Sequence, residues 1–356
     1  DDCGIMCAGT VAGQACAAAA ACIDDSGHCD IPAELMGIAA WAFDGLTSLT
    51  SVTIHSGVTS MGVFAFRGTR LTSVTLPDGL AEVPEEAFKD VSTLASVAFG
   101  SGITTIGPKA FQSTGLSSLV LPDSITTVGA EAFSRTNGLA SLTIGAGIDA
   151  IPNSCFQCSP DGNHHTDLVI TIPGTVTSVG QFAFAESVAA AVTIEEGVER
   201  IEYAAFANMP NLAEIVIPSS VRYLAGSSFS SSGAATVIIE DGVEQIGDNA
   251  FAYMPNLAEI VIPGSVQTVE WSAFYNCEAL SAVVIQHGVQ SIGGGAFEDT
   301  GLGPGVQLLP ESVTSVDSNA FPSWVSLCGG ASSLGLDECP CWTPCTAACE
   351  ITVDRV

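Results

Sequence analysis

Phenylalanine recurs along this chain at a nearly constant interval, and that interval restricts the fold more than any other feature. It stands at Phe43, Phe66, Phe88, Phe111, Phe133, Phe156, Phe184, Phe206, Phe229, Phe251, Phe274, Phe297 and Phe321, so thirteen of the sixteen phenylalanines occupy one slot. The spacing is 22 to 24 residues, apart from 28 between Phe156 and Phe184. A small residue precedes most of them, as in Ala65, Ala87, Ala110, Ala132, Ala183, Ala205, Ser228 and Ala250. Upstream lies a short β-type run such as Leu49-x-x-Val52-x-Ile54, then a second apolar pair such as Val58/Met61 or Val243/Ile246. One such unit cannot bury its own apolar side, whereas stacked units bury a continuous core. The repeat therefore predicts a solenoid with an aromatic spine, the small neighbours allowing close backbone approach.

The unit is plainest in Leu257-x-x-Ile260-x-Ile262-Pro263-x-x-Val266-x-x-Val269-x-x-x-Ala273-Phe274, which resembles the BspA-type leucine-rich repeat. The resemblance runs from about Ile31 to Phe321, over twelve successive coils. The asparagine ladder of ordinary leucine-rich repeats is missing, and its slot holds glycine, serine or threonine, as at Gly197, Ser220, Gly242, Ser265, Gly288 and Ser312. The fold expected is an α/β but β-rich, right-handed leucine-rich-repeat solenoid of about thirteen coils, roughly 60 Å long at strand spacing. A parallel strand ladder would form one face, with turns or short helical pieces elsewhere. Residues 31–326 would form the solenoid, with an insertion loop at 158–167, between Cys-rich caps at 1–30 and 327–356. The resemblance also implies a secreted or surface protein that binds other macromolecules.

A second period underlies the first. Alternate coils follow the strand with proline, as in Leu76-Pro77, Leu121-Pro122, Ile172-Pro173, Ile217-Pro218, Ile262-Pro263 and Leu309-Pro310. The coils between carry an acidic, small or polar pair before glycine, as in Glu195-Glu196-Gly197 and Glu240-Asp241-Gly242. Ala205–Pro218 and Ala250–Pro263 differ at a single position, 45 residues apart. Duplication of a two-coil module explains this most simply. The sharper reading is a surface repeating about every 9–10 Å, able to template an ordered partner or a fibre.

Cysteines concentrate at the two ends. Cys3, Cys7, Cys16, Cys22 and Cys29 precede the repeats, and Cys328, Cys339, Cys341, Cys345 and Cys349 follow them. That placement reads as disulfide-stapled caps in an oxidising compartment. The last four have a spacing compatible with zinc, but a secreted chain favours disulfides. Cys155 and Cys158 form a Cys-x-x-Cys that reads as a buried thiol or a local disulfide, and Cys277 as an inert core thiol. The sequence starts at Asp1 without methionine, as expected of a secreted protein with its signal peptide removed. The Ala-rich run Val11–Ile23 is too short and too weakly apolar to span a bilayer.

Thirty-eight acidic residues face eight basic ones, a net charge of −30 that argues against nucleic acid and anionic membranes as partners. No Gly-x-Ser-x-Gly elbow, P-loop or His-Glu-x-x-His occurs, and five histidines leave little for acid–base chemistry, so neither an enzyme nor a cofactor is expected. In the insertion, Asp161, His164, His165 and Asp167 are of types that hold a divalent cation, though an ordinary polar loop is the simpler reading. From Glu186 to Glu278 thirteen carboxylates face only Arg200 and Arg222. Glu195/Glu196/Glu199 recur two coils later as Glu240/Asp241/Glu244, and stacked in register, with coils about 5 Å apart, they would form carboxylate rows destabilised by repulsion unless salt or weakly bound Ca²⁺ relieves it.

Outward strand positions change character along the chain. Early coils present Ser51/Thr53, Ser73/Thr75, Ser96/Ala98 and Ser141/Thr143; later coils present Glu214/Val216, Thr236/Ile238, Glu259/Val261 and Ala282/Val284. Exposed β-branched apolar side chains in a row mark a contact surface. The functional expectation is an extracellular or cell-surface protein that binds or adheres to a protein, matrix or surface ligand. Self-assembly into a fibre or coat is the alternative. Ice or mineral binding by the hydroxyl rows comes third.

Overall fold

The computed structural model describes residues 21–159 and 168–329. Within them the chain winds a parallel-strand solenoid of about thirteen turns. Each coil opens with a strand of three to five residues, among them Ser51–Thr53, Glu214–Ile217, Thr236–Ile239, Glu259–Ile262, Ala282–Ile285 and Gly305–Leu309. Alternation does the sorting: in Glu214–Ile217, Ile215 and Ile217 are buried while Glu214 and Val216 face out. A turn and a two-residue strand follow, as at Arg200–Ile201 or Gln245–Ile246, and then the spine phenylalanine. Pairing runs past both expected solenoid boundaries. His28–Asp30 pairs with Ser51–Thr53, and Val325–Gly329 pairs with Gly305–Leu309.

The strand ladder is joined in twos. Val169–Ile172 bonds Ala191–Ile194, Glu214–Ile217 bonds Thr236–Ile239, and Glu259–Ile262 bonds Ala282–Ile285. Inside each pair the amide of Glu195, Glu240 or Gln286 donates to Ile172, Ile217 or Ile262 at 3.0 Å. The next coil carries Pro218, Pro263 or Pro310 at that position, and proline has no N–H to donate. The two-coil period of the sequence is thus a period in backbone bonding. The two-residue strands keep a longer ladder, an eight-stranded sheet from Ala150–Ile151 to Ser315–Val316.

All thirteen spine rings stack. Neighbouring centroids are 4.8–5.6 Å apart and the planes within 1–18° of parallel. The longer spacing after Phe156 leaves the stack intact, with Phe156 and Phe184 at 5.2 Å.

No helix occurs among the described residues, and turns stand where helical pieces were allowed for. The reason is local. Most coils pass through the left-handed region on both sides of the spine phenylalanine, as at Glu86/Asp90, Ala204/Asn208, Ser227/Ser231 and Asn249/Tyr253. A right-handed helix cannot contain such residues, and each costs roughly 1 kcal/mol when it is not glycine. In return the amides of Ala204, Phe206 and Asn208 point along the solenoid and donate to Gly226, Ser228 and Ser230 at 2.8–3.0 Å. The same bonds recur coil after coil, a second backbone ladder made of turns.

A third set of bonds fills the slot of the missing asparagines. Gly197 (φ +119°) lies so close to the Gly174 carbonyl that a Cβ would collide with it. Its amide donates to Ser220 Oγ (3.0 Å), which in turn donates to the Val198 carbonyl (2.8 Å). Gly242 to Ser265 (3.1 Å) and Gly288 to Ser312 (2.9 Å) repeat the contact. Glycine in one coil and serine in the next therefore form a two-residue relay.

Phe206 is fully buried between two stacked rings. Phe206→Ala is expected to cost about 3–5 kcal/mol by leaving a cavity. Chemical denaturation checks this, and a cost below about 1 kcal/mol contradicts the spine.

Candidate functional site: the outer strand face

From Glu214 onward the outward side chains form three parallel columns. The central one is apolar: Val216, Ile238, Val261 and Val284, exposed by 37–45%, with Leu308 beyond at 64%. Register aligns them, since Val216 pairs with Ile238 and Val261 with Val284. A first flank holds Glu214, Thr236, Glu259 and Ala282, paired in the same register. The other flank, two residues after the central column, holds Pro218, Glu240, Pro263 and Gln286, with Glu195 one coil before Pro218. The prolines are buried and the polar residues project. Between the central column and this flank lies an open groove of about 490 Å³ lined by Ile238, Glu240, Asp241, Val261, Pro263 and Gln286. All seven residues expected to make the contact surface, Glu214, Val216, Thr236, Ile238, Glu259, Val261 and Val284, thus lie together and exposed on one face. Sequence reading had not singled out Glu240, Pro263 or Gln286 for this face, although strict alternation beyond the strand places them there.

The acidic turns differ from the rows expected. Glu195/Glu196 and Glu240/Asp241 lie two coils apart, with Ser219 between them, and the Ser219 amide donates to both Glu196 Oε1 and Glu240 Oε2 at 3.2 Å. Ser219 Oγ (2.9 Å) and the Ser220 amide (3.0 Å) complete the Glu196 contacts. Glu199 and Glu244 are likewise separated by Arg222, whose Nη1 meets Glu244 Oε1 at 3.1 Å. The carboxylates therefore tie neighbouring coils together through the serine between them. Early coils use the same device with the order reversed: Asp78 accepts from the amide and hydroxyl of Ser101 at 2.7 and 3.0 Å, and Asp123 accepts from the Ala146 amide at 2.8 Å. The Ser219 hydroxyl foremost, with the amides beside it, holds the Glu196 carboxyl below the ordinary carboxylate range; the Ser101 amide and then its hydroxyl do so for Asp78.

The cysteines separate into two kinds. Cys22 and Cys29 are disulfide-bonded to each other, and Cys328 is disulfide-bonded as well. Cys155 and Cys158 are not joined, which corrects the local disulfide considered for them. Cys155 fills the small slot before Phe156 and is fully buried, whereas the Cys158 Sγ lies against the Phe156 carbonyl. Burial pushes the Cys158 thiol up to about 11 and raises Cys155 further, so neither is a nucleophile at neutral pH. Cys277 is buried too, its thiol donating to the Phe251 carbonyl at 3.1 Å, and burial raises it to about 11. Cys3, Cys7, Cys16, Cys339, Cys341, Cys345 and Cys349 lie outside the described residues, as do Asp161, His164, His165 and Asp167. Among the described residues no three His, Cys, Asp or Glu side chains converge as metal ligands would, and no helix is long and apolar enough to cross a membrane.

The profile of the BspA type leucine rich repeat region, in six copies, matches residues 25–139, 99–208, 163–281 and 199–328. The chain belongs to the BspA-type leucine-rich-repeat family. A leucine-rich-repeat protein from Bacteroides ovatus is similar in structure (TM-score 0.54, 19% identity, covering 84% of this chain and 91% of that one) and shares the fold. A leucine-rich cell surface protein from Faecalibacterium prausnitzii (TM-score 0.43, 20% identity, 87% and 81%) and the pneumococcal vaccine antigen PcpA (TM-score 0.48, 17% identity, 87% and 75%) are more distant. No curated protein matches the sequence. In this BspA-type solenoid, then, the asparagine ladder is replaced by the glycine–serine relay, and acidic clamps tie neighbouring coils.

The clamps make a pH prediction. A carboxyl whose folded pKa is depressed stabilises the fold above its unfolded value of about 4, and that contribution is lost as pH falls through the folded value. The melting temperature of Asp78→Asn/Glu196→Gln is therefore expected to fall less than that of the parent between about pH 5 and pH 3. General relief of repulsion on acidification is nearly the same in both proteins and cancels in the comparison. Parallel acid limbs would mean that the clamps contribute nothing.

Proposed function

We propose that this protein works outside the cell, at a surface or in its surroundings, as a binding and adhesion module rather than an enzyme. The observation that carries the reading is the row Val216, Ile238, Val261 and Val284, β-branched side chains in register on regular strands and open to solvent. Aligned apolar exposure of this kind is uncommon on a surface with no partner. Rigid backbone beneath it suits recognition, because little conformational entropy is lost when the face is covered. Family membership and the disulfides at both ends of the solenoid support an extracellular setting.

A fibre or coat subunit is the second reading, favoured by the two-coil period of the bonding pattern. Light scattering of the purified protein separates the two, since a binding module stays monomeric where a subunit assembles. The decisive experiment is binding to a panel of immobilised matrix and cell-surface proteins, comparing the parent with Val216→Ser/Val261→Ser. Both positions are exposed, so the variant keeps its core. The expected result is a partner held by the parent and weakened at least about tenfold, 1.4 kcal/mol, in the variant. Equal binding by both proteins removes this face from the function.

A further inference from the structure

The face is framed by charge as well as lined by apolar side chains. On the first flank Glu214 and Glu259 are two coils apart; on the second, Glu195 and Glu240 are two coils apart and offset by one coil. From Glu195, one coil before Val216, to Glu259 the carboxylates alternate left and right, one per coil, and the Val284 coil carries Ala282 and Gln286 in their place. Asp241 adds to the Glu240 side of the groove. Among the described residues no Lys or Arg answers them. Among the described residues after 168 the basic side chains are Arg200, held by Glu202 at 2.9 Å and lying over Tyr223, and Arg222, held by Glu244 at 3.1 Å. Arg200 and Arg222 sit on or beside the two-residue strands, on another side of the coil.

Resting on the binding reading above, we infer that the occupant is an extended cationic segment of another protein, lying along the solenoid axis. It sets apolar side chains on the Val216–Val284 column and Lys or Arg against the carboxylates on either flank. The spacing supports this. Two coils span about 9–10 Å, and a polyproline-type chain repeats its three faces every three residues, about 9 Å. One face of such a segment rests on the apolar column and the other two turn toward Glu214/Glu259 and Glu195/Glu240. The matching sequence carries an apolar residue at every third position and basic residues at the two between. A second copy of this chain fits poorly, because it brings the same net charge of −30 and the same acidic face. Nucleic acid and anionic lipid are repelled for the same reason.

Fluorescence polarisation at about 0.15 M salt tests the inference. The probes are a peptide of four Leu-Arg-Arg repeats and a peptide of identical composition with its arginines clustered at one end. The periodic peptide is expected to bind at least about tenfold tighter than the clustered one. Glu214→Gln/Glu259→Gln should reduce that preference, while Glu34→Gln/Glu278→Gln, an equal change of charge at exposed positions off the face, should leave it. Equal affinity for the two peptides, or equal effects of the two double variants, overturns the inference and reduces the attraction to net charge. If Val216→Ser/Val261→Ser still loses a partner from the protein panel in that case, the binding reading stands without the cationic segment.

Discussion

Everything in this fold depends on coil meeting coil. A stretch of 22 or 23 residues has strands of two to five residues and one large apolar side chain, too little to hold itself together. The missing stability comes from the neighbour, through three parallel supports: stacked phenylalanines, backbone ladders on strands and turns, and the glycine–serine relay. The turn ladder shows how strong that demand is. The chain adopts left-handed conformations at Glu86, Lys109, Phe182 and many other non-glycine positions, because that geometry aims the flanking amides at the next coil.

Much of this was legible in the sequence, and the parts that were not share a cause. The spine was legible because every coil from Phe43 to Phe321 carries a phenylalanine in the same slot. The pairing of strands in twos follows from Pro218, Pro263 and Pro310, whose missing amides can be read without coordinates. The left-handed turns could not be read, since Trp41, Glu86, Lys109, Ser154 and Asn249 occupy equivalent positions without a shared chemistry. Geometry imposed by neighbouring coils decides there, and local propensity is overridden. The hydrogen bonds of the acidic clamps were not legible for a related reason. The alternation of proline and acidic coils was on view, but only the register shows that the Ser219 amide lies between Glu196 and Glu240. Of the two readings of Cys155 and Cys158 the buried thiol holds and the local disulfide does not: Cys155 fills the small slot before Phe156, and Cys158 lies against the Phe156 carbonyl.

The outer strand face follows from the same stacking. Register set by the core fixes the outward columns with no further design, so duplicated modules such as Ala205–Pro218 and Ala250–Pro263 repeat their surface at a two-coil interval. An apolar column with carboxylates alternating on its flanks is the product. Rigid and regular, it suits a partner that is itself extended and periodic, and its charge points to a basic one.

Native-state hydrogen exchange tests the central claim most directly. If coil-on-coil bonding through the turns holds the solenoid, the amides of Ala204, Phe206, Asn208 and Phe229, each donating to the following coil, exchange as slowly as those of the strands Glu214–Ile217 and Thr236–Ile239. Turn amides that exchange as fast as exposed loops while the strands stay protected would contradict the account, leaving the strand ladder alone to hold one coil to the next.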